Sequence, residues 1–88
     1  MNKFYIFILD DHADGNAYVK ELLRADCEFD AISSAIKSLL VHDHVCITSN
    51  EILYQTPLSQ ITAKDLLPYS LMLSAGKYFP LDKIVNKL

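Results

Sequence analysis

The sequence predicts a small α+β domain, in which a three-stranded sheet carries helices packed on one face and the elements run β-α-α-β-β-α-α. Three observations lead to this prediction. The chain has 88 residues, which fits one domain spanning 1–88. Short strand-like apolar runs are interspersed with stretches of helical periodicity. The composition, 51% hydrophobic with only 2 Gly and 3 Pro, is that of a folded globular protein.

The first predicted strand is the continuous apolar run Phe4–Leu9, which stops at a polar cluster. A short run of aromatic and β-branched residues indicates a central strand that is covered on both faces. Residues 10–15 are then predicted to form a loop.

Two helices are predicted between residues 16 and 40. In the first, which Asp14 or Asn16 would cap, the apolar side chains on one side are Tyr18, Val19, Leu22 and Leu23. The second follows a polar interruption at 26–30, with Asp30 as a plausible cap. Its apolar stripe consists of Ala31, Ile32, Ala35, Ile36, Leu39 and Leu40. One long kinked helix from 16 to 40 is an alternative that the sequence leaves open.

The stretch 44–55 is predicted to be a β-hairpin. Residues 45–48 are rich in strand formers, Ser49-Asn50 has turn chemistry, and 52–55 resumes a strand-like pattern. Pro57 ends the hairpin because proline cannot donate to a ladder.

Helical segments are predicted for the rest of the chain. Thr62 and Asp65 have the spacing of a capping box that starts a helix. Pro68 favours a new helix over 69–75, which Gly76 would terminate. Phe79-Pro80 then opens a last short helix that reaches residue 88.

The charge balance argues against direct binding of nucleic acid and points to a protein partner. The formal net charge is −3, and the eight basic residues are scattered, whereas a nucleic-acid binder usually carries a basic patch. Residues 1–44 hold eight acidic and four basic residues. This asymmetry predicts an acidic face that meets a basic partner. The predicted partner-binding residues are Asp10, Asp11, Asp14, Asp26, Glu28 and Asp30.

The mean hydropathy of +0.16 is high for so short a chain. A small domain has a large surface relative to its core, so some apolar side chains are expected to remain exposed and to mark an interface. This favours an obligate partner or a homodimer.

The sequence predicts a cytoplasmic protein without a membrane segment. Two cysteines are too few for a disulfide-dense secreted scaffold. The apolar run after Lys3 is shorter than the core of a signal peptide, and no run approaches the ~20 residues that span a bilayer.

The run Phe4–Leu9 followed by Asp10-Asp11-His12 is similar to the start of a response-regulator receiver domain. There, an acidic pair after the first strand binds Mg²⁺ near a phosphoacceptor aspartate. Such an aspartate should end a later strand, whereas residues 45–48 run into Ser49 and Asn50. The chain is also too short for five βα units. The resemblance covers only about the first 24 residues, up to the end of the predicted first helix. The sequence is therefore not assigned to this family.

A metal-binding regulator is the alternative function. Alternate residues of a strand share a face, so His42, His44 and Cys46 would project together, and imidazole with thiolate suits Zn²⁺. Cys27 or His12 could supply a fourth ligand. The usual ligand spacings are missing from the sequence, so no cofactor is predicted.

No enzyme is predicted. There is no glycine-rich phosphate loop, and neither cysteine lies in a recognisable nucleophile turn. The sequence therefore predicts a small protein-binding module, such as an inhibitor that contacts the basic surface of a nuclease or nucleic-acid-handling enzyme, of the toxin-immunity or phage anti-defence type. A structural homo-oligomer subunit is the remaining alternative.

Overall fold

A computed structural model of the chain describes residues 3–50 and 57–76. The helices and strands in this part are β1 (Phe4–Asp11), β2 (Ala17–Ala25), α1 (Glu28–Ser38), β3 (His44–Thr48), α2 (Ala63–Leu66) and β4 (Leu71–Ser74). Single 3₁₀ turns at Leu58–Gln60 and Leu67–Tyr69 flank α2. The α+β class is confirmed.

The described strands form one antiparallel sheet in the order β2-β1-β3-β4. The prediction of three strands is therefore wrong, because two segments predicted as helices are strands. The prediction that helices cover only one face is also wrong. Each face of the sheet carries its own apolar cluster, and the segment 57–69 packs on the face opposite α1.

The first apolar cluster lies between α1 and the sheet. Alternate residues of β1 and β3 point toward the helix, which meets them with Ala31, Ile32 and Ala35. Ala31 and Ala35 are fully buried, and their small side chains let the helix approach the sheet closely. The sheet contributes Phe4, Ile6, Ile8, Val45, Ile47 and Leu73.

The second cluster covers the other face of the sheet. Ile61 and Leu66, from the segment around α2, cover Phe7 and Leu9 of β1. These contacts explain why the apolar run in β1 is continuous, since a strand that is buried on both faces has no polar side to alternate with. The predicted first strand is confirmed and extends two residues further, to Asp11.

The predicted first helix is wrong: this segment is the edge strand β2. Ile8 lies opposite Glu21 and Leu9 lies opposite Val19, so Lys20 is the extra residue of a β-bulge. The bulge shifts the alternation of side chains by one residue along the strand.

The shift explains why β2 imitates a helix in the sequence. Val19 and Leu22 are three positions apart, so in a regular strand they would point to opposite faces; because of the bulge, both face away from α1. Leu23 faces α1. The apolar pairs Tyr18-Val19 and Leu22-Leu23 are separated by two charged residues. This spacing fits one side of a helix as well as it fits a strand with a bulge.

The turn between β1 and β2 contains a sequence signal for a hairpin. The backbone N–H of His12 donates to the carbonyl of Asn16 over 2.8 Å, and that of Gly15 donates to the carbonyl of His12 over 3.0 Å. Gly15 has φ +87°, a left-handed conformation that favours glycine. Asp-Gly between two apolar runs is a strong hairpin signal.

The predicted second helix is confirmed as α1, with shifted bounds. It begins at Glu28 after an extended Cys27, so Asp30 lies in the first turn instead of capping the helix. Acidic side chains in a first turn stabilise a helix through its dipole. The alternative of one long helix from 16 to 40 is wrong because β2 occupies its first half.

The strand predicted at 45–48 is confirmed as β3. Its neighbours are β1 and β4, which pair with its two edges. The second strand of the predicted hairpin, at 52–55, lies outside the described residues, as does the last helix predicted after Phe79.

The prediction of a helix at 69–75 is wrong, because 71–74 form β4. The 3₁₀ turn that contains Pro68 reverses the chain, after which Leu71 and Leu73 pair with Ile47 and Val45. Gly76, with φ +77°, lies in the turn that follows β4 and caps no helix.

The capping-box prediction is confirmed at α2. The Asp65 carboxylate accepts from the backbone N–H of Thr62 at 3.0 Å and from its hydroxyl at 3.1 Å.

No helix in the described residues is long and apolar enough to cross a membrane.

Candidate functional site

The six acidic residues predicted to bind a partner fall into two groups at opposite ends of the sheet. Asp10, Asp11 and Asp14 lie where β1 turns into β2, which we name the turn end. Asp26, Glu28 and Asp30 lie where β2 leads into α1, which we name the helix end. Because β1 and β2 run antiparallel over eight residues, about 20 Å separates the two ends. The six carboxylates therefore do not form one surface.

At the turn end, Asp10 holds the chain that leaves α1. Its carboxylate lies 2.9 Å from His42 Nδ1 and accepts the backbone N–H of Asp43 at 3.1 Å. Burial by itself would raise the pKa of Asp10. The hydrogen bonds from His42 and Asp43, with the positive charges of His42 and Lys20, outweigh it, so the pKa is lowered.

Asp14 is also engaged within the chain. It accepts the hydroxyl of Tyr18 at 2.6 Å and the backbone N–H of Asn16 at 2.9 Å. The bond from Tyr18, followed by that from Asn16, lowers the pKa of Asp14. The same bond raises the pKa of Tyr18, because a phenolate could not donate to the carboxylate. The ring of His12 lies beside that of Tyr18, with centroids 4.6 Å apart.

Asp11 joins a third set of contacts, which crosses three strands. Asp11 Oδ1 lies 2.8 Å from His44 Nε2, and His44 Nδ1 lies 2.7 Å from Ser74 Oγ. The backbone N–H of Asp11 donates to Asp43 Oδ2 at 2.9 Å. The three turn-end aspartates are thus all bound to neighbouring groups of their own chain.

The helix end differs, because its carboxylates are free. Asp26, Glu28 and Asp30 are exposed, and none has a hydrogen bond or ion pair with the residues that the structure describes. Phe29 stands between two of these acids with 79% of its surface exposed. Large exposed aromatic side chains of this kind are common among the residues that anchor protein interfaces.

An exposed apolar stripe continues from Phe29 along α1. Ile36 lies seven residues further on the same side of the helix and is 40% exposed. Leu40 and Val41, in the turn after α1, are 81% and 78% exposed. The predicted apolar stripe contacts the core through Ala31, Ile32, Ala35 and Leu39, whereas Ile36 and Leu40 are exposed.

The candidate metal ligands do not converge. His42 lies in the turn before β3 and contacts Asp10, whereas His44 contacts Asp11 and Ser74. Cys46 is fully buried in the second apolar cluster, and burial raises the pKa of its thiol against the opposing effect of a hydrogen bond with Ser70. Within residues 3–50 and 57–76, no three His, Cys, Asp or Glu side chains are placed to hold a metal ion.

A cleft of about 180 Å³ lies beside the contacts of Asp11 and His44. Its walls come from the β1–β2 turn, from the start of α2 and from β4. The charged and polar side chains among its lining residues are Asp11, Asn16, His44, Thr62 and Lys64. The cleft thus combines an imidazole, a carboxylate and an ammonium group.

Sequence reasoning missed Ser74, because β4 was predicted to be a helix and its pairing with β3 was unknown. A serine that faces a histidine across two strands leaves no spacing signal in the chain. The exposure of Phe29 could have been predicted from the sequence, because an apolar residue inside an acidic stretch rarely belongs to the core.

The comparisons with known proteins add no relative. The chain matches no protein-family model, no curated protein and no solved structure. The function therefore has to be inferred from the geometry of this chain.

Proposed function

We propose that the chain is a protein-binding module that docks through its helix end onto a basic surface of a partner protein. The observation that carries the proposal is Phe29, an exposed aromatic side chain flanked by the free carboxylates of Glu28 and Asp30. We infer a partner that offers an apolar pocket bordered by lysine or arginine. Nucleases and other nucleic-acid-handling enzymes have surfaces of this kind, so a small inhibitor of such an enzyme fits the proposal.

Charge supports the helix end over the turn end as the docking surface. A carboxylate meets a basic partner most readily when its oxygens are not already bound within its own chain. At the turn end, Asp10 and Asp11 are hydrogen-bonded to His42 and His44, and Asp14 accepts the hydroxyl of Tyr18. The helix-end carboxylates have no such partners in the described residues, so their charge reaches the solvent.

The apolar stripe supplies the contact area that a stable complex needs. Phe29 and Ile36 are exposed along one side of α1, and Leu40 and Val41 follow in the next turn. Exposed apolar groups in one row are typical of an interaction site, whereas single ones are ordinary. In this proposal the carboxylates set the rate of association and the apolar stripe holds the complex together.

The test begins with four baits made from the full chain: the natural sequence, Phe29→Ala, a helix-end double variant (Glu28→Lys with Asp30→Lys) and a turn-end double variant (Asp11→Lys with Asp14→Lys). The two double variants change the net charge equally, so each controls for the other. Each bait is exposed to lysate of the cells that make the chain, and bound proteins are quantified by mass spectrometry. Circular dichroism checks that every bait is folded.

The proposal requires one basic protein that is captured by the natural sequence and by the turn-end variant but lost from the other two baits. With that protein purified, Phe29→Ala should weaken binding roughly 10- to 100-fold, mainly through faster dissociation. The helix-end reversal should slow association about tenfold at low salt and less at high salt. Equal losses for both double variants would show that only net charge matters and would sink the proposal.

A further inference from the structure

Three strands bring a serine, a histidine and an aspartate into one chain of hydrogen bonds at the turn end. Ser74 and His44 are directly opposite in the ladder of β3 and β4, so their side chains share a face of the sheet. Ser74 Oγ lies 2.7 Å from His44 Nδ1, and His44 Nε2 lies 2.8 Å from Asp11 Oδ1. Both distances are those of good hydrogen bonds.

The direction of these bonds follows from their chemistry. An ionised carboxylate only accepts, so His44 Nε2 carries the hydrogen that Asp11 receives. When the ring is neutral, His44 Nδ1 therefore carries the lone pair, which accepts the hydroxyl hydrogen of Ser74. A nucleophile bound to a base, with the base oriented by a third group, is the arrangement that activates a serine hydroxyl.

We propose that Ser74 is the nucleophile of a site that hydrolyses small carboxylic esters. In this site His44 is the general base and Asp11 is the residue that orients it. The cleft of about 180 Å³ is lined by Asp11 and His44, and Ser74 is joined to it through its hydrogen bond with His44. We place a short acyl group in this cleft, where Lys64 is the lining residue whose ammonium group would balance the charge of the developing oxyanion.

The reaction balances without a cofactor. Ser74 Oγ attacks the carbonyl carbon of the ester, and its proton passes to His44 Nδ1. The bond from carbon to the leaving oxygen breaks, and that oxygen takes the proton from His44. Water then attacks the acylated Ser74, giving up a proton to His44, which returns it to Ser74 Oγ as the acid leaves. Ester and water become acid and alcohol.

Two other serines serve as internal controls. The hydroxyl of Ser38 donates to the carbonyl of Ser34 at 2.8 Å, and that of Ser70 donates to the carbonyl of Leu66 at 2.7 Å. A carbonyl oxygen cannot remove a proton, so neither hydroxyl is activated by its partner. A probe for activated serines should therefore distinguish Ser74 from them.

The first experiment treats the full chain with an alkyl fluorophosphonate, which forms a stable adduct with an activated serine as fluoride leaves. The adduct is located by peptide mass spectrometry. We expect one adduct, on Ser74, with none in Ser74→Ala and an unchanged labelling rate in Ser70→Ala. Failure of the natural chain to label, or equal labelling of Ser74→Ala, would overturn the proposal.

The second experiment measures hydrolysis of p-nitrophenyl acetate. The natural chain should release p-nitrophenol at least tenfold faster than Ser74→Ala, and equal rates would overturn the proposal. Asp11→Asn tests the positioning role. Its rate should fall about tenfold or more, and the midpoint of its rate against pH should move to lower pH, because the imidazolium loses its counter-charge. An unshifted midpoint would remove Asp11 from the site.

The proposal does not depend on docking at the helix end, because the two sites share no residue. The helix-end double variant, Glu28→Lys with Asp30→Lys, should therefore hydrolyse the ester at the natural rate. Failure of the natural chain to label would overturn the esterase site alone and would not affect the proposed docking at the helix end.

Discussion

At the scale of single residues, the turn end shows how one contact changes two titrations. Asp14 and Tyr18 share a hydrogen bond of 2.6 Å. The bond favours the ionised carboxyl and the protonated phenol at the same time, so the pKa of Asp14 falls and that of Tyr18 rises. Exposed residues can therefore have perturbed titrations without being part of a buried site.

Replacing Tyr18 with phenylalanine should raise the pKa of Asp14 toward its ordinary value of 3.8. The reason is that the tyrosine hydroxyl is the strongest donor to this carboxylate. An NMR titration of the Asp14 carboxyl carbon in both proteins measures the change. A pKa of Asp14 that does not move would mean that Asn16 alone holds the carboxylate.

At the scale of elements, the bulge in β2 decides which side chains reach each face of the sheet. Lys20 is the additional residue between two stretches that otherwise alternate regularly. Its removal would leave Val19 opposite Leu9 and Glu21 opposite Ile8, with every side chain on its present face.

Deletion of Lys20 should therefore be tolerated, with the free energy of unfolding changed by about 1 kcal/mol or less. Urea unfolding measures the stability, and amide NOEs between Leu9 and Val19 measure the register. The substitution Lys20→Ala, which removes the side chain and keeps the bulge, is the matched control. Loss of cooperative unfolding in the deletion variant would contradict this account of β2.

The contact between α1 and the sheet depends on small side chains. Ala35 is fully buried against the sheet, whereas Ile36, the next residue, is 40% exposed. Ala35→Leu should lower the free energy of unfolding by about 1–3 kcal/mol, because a larger side chain has no room there. Ile36→Leu should change it by less than about 0.5 kcal/mol. Equal effects of the two substitutions in urea unfolding would show that α1 is loosely packed.

At the scale of the whole molecule, four groups with shifted pKa values set limits on stability at both ends of the pH range. Asp10 and Asp14 have lowered pKa values, so their contribution is present above about pH 4 and is lost as the pH falls further. Cys46 and Tyr18 have raised pKa values, so their contributions are present below about pH 9 and about pH 10, respectively, and are lost as the pH rises further.

The free energy of unfolding, measured with urea, should therefore fall below about pH 4 and above about pH 9. Tyr18→Phe should remove the part of the alkaline decrease that comes from the phenol, because phenylalanine does not titrate. Asp10→Asn should reduce the acid decrease in the same way. If the alkaline decrease were identical in Tyr18→Phe, the Tyr18–Asp14 bond would contribute nothing to stability in solution.

The sequence alone was sufficient for the elements whose pattern is local. The apolar run of β1, the strand formers of β3, the capping box of Thr62 and Asp65, and the inner side of α1 all follow from neighbouring residues. The α+β class and the acidic character of the first half also follow from composition and order. These features depend on interactions within a few residues, which a single sequence records.

The tertiary structure decided what long-range pairing controls. Two apolar segments, β2 and β4, have patterns compatible with either helix or strand, and only the ladders with β1 and β3 resolve them. The same ladders separate six acidic residues into two ends of the sheet and bring Ser74, His44 and Asp11 together from three strands. Such neighbours are set by strand register, because pairing across a sheet joins residues at any distance along the chain.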